Sequence, residues 1–234
     1  MQFKLELFLG LVAFWLVFLT IIHRLEKRMV WPYGDLRSQP HFEDATGYVQ
    51  RWFSDAIRNG FKLLGWTHDL KGEIYRVSYA MLVSSDRSTF AVIGAGTVAK
   101  MRVQGTWLHT PTSDGRSFYS TDKQAGVKID LSHNWTNELV LVGNFETLWQ
   151  THQAWVRENG VVPRGFREDR EMEEFRALRE EHYRLMEQAG LICFIDPIRT
   201  RFQYTFVGAA RTAMWSYALG LMRGLTHGRF PRNA

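Results

Sequence analysis

The chain has 234 residues, 45% of them hydrophobic and 23% charged, which excludes a disordered segment and suits a folded domain. Its formal charge of +5 fits an anionic membrane surface as readily as nucleic acid. One cysteine, Cys193, cannot close an intrachain disulfide or build a cysteine-rich metal site.

The first element predicted is a membrane anchor. From Leu7 to Ile22 no charge interrupts the sequence, and Lys4 and Glu6 can snorkel or pair at the interface. A single transmembrane helix from about Leu5 to Ile22 thereby approaches the roughly 20 residues that cross about 30 Å of hydrocarbon. Ile22-His23-Arg24-Leu25 offers no small-x-small cleavage site, so the anchor reads as uncleaved. Only Lys4 and the α-amino group precede the span, whereas Arg24, Lys27, Arg28 and later Arg37 follow it. Positive flanks stay cytoplasmic. The expected localisation is the cell membrane, single-pass, with a short N-terminus outside and the C-terminal domain in the cytoplasm. Trp31 and Tyr33 read either as interfacial anchors or as ordinary packing aromatics.

Beyond the anchor and its basic flank (1–28), residues 29–64 read as a connector and an amphipathic helix. Phe42, Ala45, Val49, Trp52, Phe53, Ala56 and Ile57 recur at helical spacing before the stop at Asn59-Gly60. That stripe covers a core, or else lies on the bilayer as a lipid-surface sensor. Residues 65–143 form an antiparallel β region. Tyr75, Val77, Tyr79, Met81 and Val83 alternate with the residues between them, Asp86-Arg87-Ser88 turns, and Thr89–Ile93 returns. Thr106–Thr110 and Ser117–Thr121 make a second hairpin about Ser113-Asp114-Gly115, and Leu139–Val142 adds a further strand.

Residues 144–234 read as a helix-hairpin-helix region packed on the sheet. Asn144 caps a helix carrying Phe145, Leu148, Trp149, His152, Trp155 and Val156, closed by Gly160. A longer helix runs from about Glu168 to Ala189, with i,i+4 pairs such as Glu180 with Arg184. Leu191–Ile195 and Arg201–Phe206 form a hairpin in which Cys193 sits as a small buried hydrophobe. A final helix spans about Val207 to Arg223. On it Gly208, Thr212, Ser216, Gly220 and Gly224 recur every fourth residue, a spacing that lets another helix backbone come close.

Three chemistries can be weighed. Phe90–Ile93 runs into Gly94-Ala95-Gly96-Thr97-Val98-Ala99, the strand-to-G-x-G-x-x-A pattern of a dinucleotide cradle, with Asp122 available as the acidic ribose partner. Gly94 and Gly96 are accordingly the only cofactor-binding candidates. Val103, Trp107 and Thr110 downstream suit a strand better than the helix that motif requires, so a glycine-permitted bend between strands is the default and no cofactor is expected. A winged-helix use of the C-terminal region is opposed by charge. From Glu168 to Ala189 eight acidic residues face four basic ones, a poor match to phosphate, so no nucleic-acid partner is expected. The histidines, among them His109, His133 and His152, lack metal-ligand spacing, and Asp130 with His133 has no nucleophile beside it; neither a catalytic nor a metal site is assigned.

The expected fold class is therefore α+β: an N-terminal transmembrane helix, a small mainly antiparallel sheet, and a helical C-terminal part. The function expected is that of a membrane-anchored accessory, scaffolding or assembly subunit without catalysis of its own, partnered by the lipid bilayer and other membrane proteins. The alternative is a membrane-tethered enzyme or nucleotide-binding module built on the Gly94-Ala95-Gly96 bend.

Overall fold

A computed structural model describes residues 2–25, 27–29, 36–38, 47–71, 75–98, 101–122, 135–139, 143–199 and 201–214. The elements are α1 (Gln2–Leu25), β1 (Lys27–Met29), α2 (Tyr48–Arg58), β2 (Phe61–Lys71), β3 (Tyr75–Ser84), β4 (Phe90–Val98), β5 (Met101–Pro111), β6 (Ser117–Thr121), β7 (Trp135–Leu139), α3 (Phe145–Glu158), α4 (Glu171–Gln188), β8 (Ile192–Phe194) and β9 (Arg201–Tyr204). Residues 206–214 are helical. The fold is α+β, as the patterning predicts. The chain divides into two units that interleave along the sequence, one from residues 1–31 and 181–234, the other from 32–126 and 133–180. Helix α4 is divided between them after Glu180.

The larger unit is built on a six-stranded sheet in the order β2-β3-β4-β5-β6-β7. Its first five strands are antiparallel neighbours, and β7 joins β6 in parallel. Side chains alternate across a strand, and here both faces are covered. Ala80, Leu82, Ala91, Ile93, Ala95 and Leu108 pack against Tyr48, Val49, Trp52 and Ala56 of α2 and Phe145, Leu148 and Trp149 of α3. On the opposite face Phe90 stacks on Phe175 of α4 at 4.0 Å and meets Phe166 edge-on. Burying each such ring is worth about 1.5–3 kcal/mol. The apolar stripe of α2 therefore covers a core through Val49, Trp52 and Ala56, with Phe53 partly buried against it and Ile57 left exposed.

Three differences from the sequence reading have local causes. Strand β2 escapes a period-two search because a bulge between Leu63 and Gly65 resets its alternation. Gly94 and Gly96 lie inside β4, bonded to β3 on one side and β5 on the other, with Gly94 opposite Tyr79 and Gly105 and Gly96 opposite Val77 and Val103. Strand β4 continues past them to Val98, and the next described residues, from Met101, are strand β5. In α4 Arg184 pairs with Glu181 three residues back, not with Glu180.

In the smaller unit β1, β9 and β8 form a three-stranded antiparallel sheet. Tyr183 and Met186 of α4, Ile192, Phe202, Tyr204 and Ala209 make its core, with Phe194 packed against it. The Arg199 guanidinium lies 4.0 Å from the centre of the Phe194 ring and also bonds Glu187 at 2.7 Å. Strand β1 is the basic flank of the expected anchor, drawn into a sheet by β9. Among the described residues no helix is long and apolar enough to cross a membrane. On α1 the side chains described are Glu6 and those from Gly10 to Leu25.

Candidate functional site

The feature that asks for a partner is the surface of α1. Leu11, Phe14, Trp15, Val17, Phe18, Ile21, Ile22 and Leu25 are each 42–69% exposed. At 100° per residue they fill nearly half the helix circumference, with buried Thr20 on the far side. Phe14 and Trp15 both stack on Phe18, at 6.4 and 5.3 Å. With 150–250 Å² per ring, these three alone expose on the order of 300 Å² of aromatic surface. That already reaches the size of the largest patch on an ordinary soluble monomer. The Thr20 hydroxyl donates to the Leu16 carbonyl at 2.7 Å, so the polar group on this stretch is satisfied within its own helix.

The end of α1 is fixed by the small sheet. Lys27, Arg28 and Met29 pair with Gln203, Phe202 and Arg201, and α1 itself touches β9. Past β9, Thr205 caps the last helix: its hydroxyl accepts from the Gly208 N–H at 3.1 Å and donates to the Gly190 carbonyl at 2.7 Å. Gly208 is then pressed onto β8's approach, where an added Cβ would stand 2.0 Å from the Leu191 carbonyl oxygen.

One constellation inside the larger unit has the spacing of catalytic groups. His152 of α3 holds the Ser120 hydroxyl at Nδ1, 2.6 Å, and the Thr110 hydroxyl at Nε2, 2.8 Å. Thr110 continues to Thr89 at 2.6 Å. A serine hydroxyl bonded to an imidazole is the pairing that activates a nucleophile. Ser120 and His152 are 0% exposed and Thr110 1%, so no substrate reaches them. Burial holds the His152 imidazole far below its ordinary 6.5, at about 3. It is a neutral ring whose two nitrogens tie α3 to β5 and β6. A second buried network ties α2 to the sheet: the Tyr48 hydroxyl donates to Asp122 at 2.7 Å and lies 2.8 Å from the Thr106 hydroxyl. The Thr106 N–H reaches the other Asp122 oxygen at 3.2 Å.

Comparison with protein families, curated proteins and solved structures finds no match. Among the described residues no group of three or more His, Cys, Asp or Glu side chains is placed to hold a metal ion.

The glycine motif does not form a cradle. A Cβ on Gly94 would stand 2.4 Å from the Tyr79 ring, and one on Gly96 2.0 Å from the Arg76 carbonyl oxygen. Both glycines make room for β3 rather than for a pyrophosphate, which would need the N-terminus of a following helix. Asp122, the proposed ribose partner, is engaged by Tyr48 and Thr106 in the core.

Of the small residues on the last helix, Gly208 and Thr212 are buried, and the Thr212 hydroxyl bonds the Gly208 carbonyl at 2.8 Å. Gly208 already has its close neighbour in Leu191. Ser216, Gly220 and Gly224 lie outside the described residues, as do Trp31, Tyr33, Asp130 and His133. Lys4 lies on α1 and Arg28 on β1. Arg24 is half-buried at the end of α1 and Lys27 is exposed at the start of β1. What the sequence misses is Phe206 and Val207, 68% and 54% exposed at the head of the last helix.

Proposed function

We propose that this chain is a single-pass membrane-anchored accessory, scaffolding or assembly subunit of a membrane protein complex. In this reading α1 is the span and the rest of the chain stands on the cytoplasmic face. The observation that carries the reading is the exposed aromatic and aliphatic face of α1. Transferring its three rings from water to hydrocarbon is worth about 7–8 kcal/mol for some 300 Å², against roughly 3 kcal/mol for one charged group such as Glu6 drawn into the bilayer. The length supports it too. Twenty-four residues at 1.5 Å each make about 36 Å, enough for the hydrocarbon core with some tilt. Arg24, Lys27 and Arg28 supply the cationic flank that fixes orientation.

The subunit role rests on the same face and on the burial, among the described residues, of the catalytic-looking pair Ser120 and His152. The test is fractionation of the full-length chain followed by affinity purification in mild detergent. The expected result is a membrane pellet that resists alkaline and urea washes, and co-purification of integral membrane proteins in stoichiometric amount. A chain that stays in the supernatant without detergent overturns the anchor. A clean monomer in detergent that turns over a substrate overturns the accessory role.

A further inference from the structure

The last helix starts at the level where α1 ends. Lys27 lies opposite Gln203, and Thr205 follows only two residues after Gln203, or about 7 Å along the chain. From there residues 206–214 turn one face to the core and one outward. Gly208, Ala209, Thr212 and Ala213 are buried, while Phe206, Val207, Arg211 and Met214 are exposed and Ala210 is half-exposed. Phe206 is 68%, Val207 54% and Met214 54% exposed. At 100° per residue the outward set fills an arc of about 140°, apolar except for Arg211.

We propose that this outward face of the last helix is a second lipid contact, lying in the interfacial layer of an anionic bilayer beside the exit of α1. The proposal rests on the reading of α1 as the anchor and adds to it a surface the anchor does not need. Two observations choose lipid as the occupant. The face starts close in the chain to the exposed apolar surface of α1: Leu25, 69% exposed, precedes Lys27 by two positions, and Lys27 pairs with Gln203, three residues before Phe206. Cations accompany it: Arg24 at the end of α1, Lys27 on β1, Arg201 on β9 and Arg211 on the helix itself, with no acidic residue from 201 to 214. An interfacial helix buries its apolar side by roughly 5–10 Å, with basic residues reaching the headgroups. Phe206 and Val207 would enter below the phosphates, and Arg211 would reach back to them.

The experiment uses the full chain in vesicles of phosphatidylcholine and phosphatidylglycerol. In a Cys193→Ser background, an environment-sensitive dye is placed at Val207→Cys or, separately, at Val17→Cys, with nitroxide lipids as quenchers. Headgroup-level nitroxide should quench the dye at 207 by about half, and chain-end nitroxide should quench it little, as an interfacial depth requires. The dye at 17 should respond most to the chain-end probe. Quenching at 17 without quenching at 207 overturns this inference and leaves the anchor standing; a face covered by a protein partner gives that result. No quenching at either position overturns the anchor and this inference with it. The unaltered chain supplies a second measurement. Photoactivated phospholipid with its reactive group near the headgroup should leave adducts on the tryptic peptide 202–211 as well as on α1. Adducts on α1 alone overturn the inference.

Discussion

At the scale of single residues, His152 is the group whose environment is most opposed to its charge. Its ring is enclosed, and both nitrogens face hydroxyls that serve a neutral imidazole, one accepting and one donating. Protonation would leave an ion with no carboxylate among its hydrogen-bond partners, which is why desolvation alone lowers it to about 3. The unfolded chain takes up this proton below about 6.5 while the native state does so only near 3, so the unfolded state binds more protons between those values. Stability from this group is complete above about pH 6.5 and is lost as pH falls toward 3. The steepest loss is about 1.4 kcal/mol per pH unit. Chemical denaturation at a series of pH values should show that slope. In His152→Leu it should be shallower by close to one proton, with a cost of about 1–3 kcal/mol at neutral pH from the stranded hydroxyls. An unchanged slope in the variant would assign the acid sensitivity elsewhere. Gly94 makes a complementary case. Gly94→Ala puts a methyl against the buried Tyr79 ring and should cost about 1–3 kcal/mol in a thermal or urea melt. Millimolar NAD(P), ATP or GTP should leave the parent midpoint unmoved, since a nucleotide seated at Gly94 and Gly96 would raise it.

At the scale of elements, α3 shows local signals sufficient to specify a helix. Asn144 stands in extended conformation and its side chain accepts from the Thr147 N–H at 2.8 Å. Phe145, Leu148, Trp149, His152 and Val156 then bury one face. Asn144→Ala should cost about 1 kcal/mol, read by denaturant midpoint, with no change in slope; a cost near zero would mean that tertiary packing alone holds the helix start. The same local sufficiency makes β3 and β6 legible in sequence on their observed bounds. Where an element depends on distant chain, sequence reading stops. Strand β1 exists because β9, far along the sequence, offers it partners, and nothing in Lys27-Arg28-Met29 announces a strand. Strand β2 carries its own cause of concealment in the bulge at Gly65. The G-x-G pattern misleads for a related reason: glycine suits a tight turn and a crowded strand crossing alike, and Tyr79 decides between them from another strand. The candidate site divides the same way. The apolar run of α1 is legible because it is contiguous, whereas Phe206 and Val207 become exposed only because Gly208 must face Leu191.

At the scale of the molecule, the proposed anchor would act according to the side of the bilayer on which the rest of the chain stands. Orientation follows the excess of Lys and Arg within about 15–20 residues of a span. That excess lies in Arg24, Lys27 and Arg28, with Lys4 on the other flank. A fluorescent protein fused after Ala234 should therefore be bright and an alkaline phosphatase in the same place inactive. The cause is testable apart from the outcome. Replacing Arg24, Lys27 and Arg28 by Gln while changing Gln2→Lys moves the positive excess to the other flank. The pairing of β1 with β9 is made by backbone groups, so these substitutions leave the small sheet its hydrogen bonds. The phosphatase fusion of the variant should then gain activity, each inserted chain choosing the side its cations dictate. A parent fusion active only in the exported compartment would reverse the proposed topology. A variant whose orientation did not move would show that something other than the flank, such as rapid folding of the large sheet before insertion, holds the domain in place.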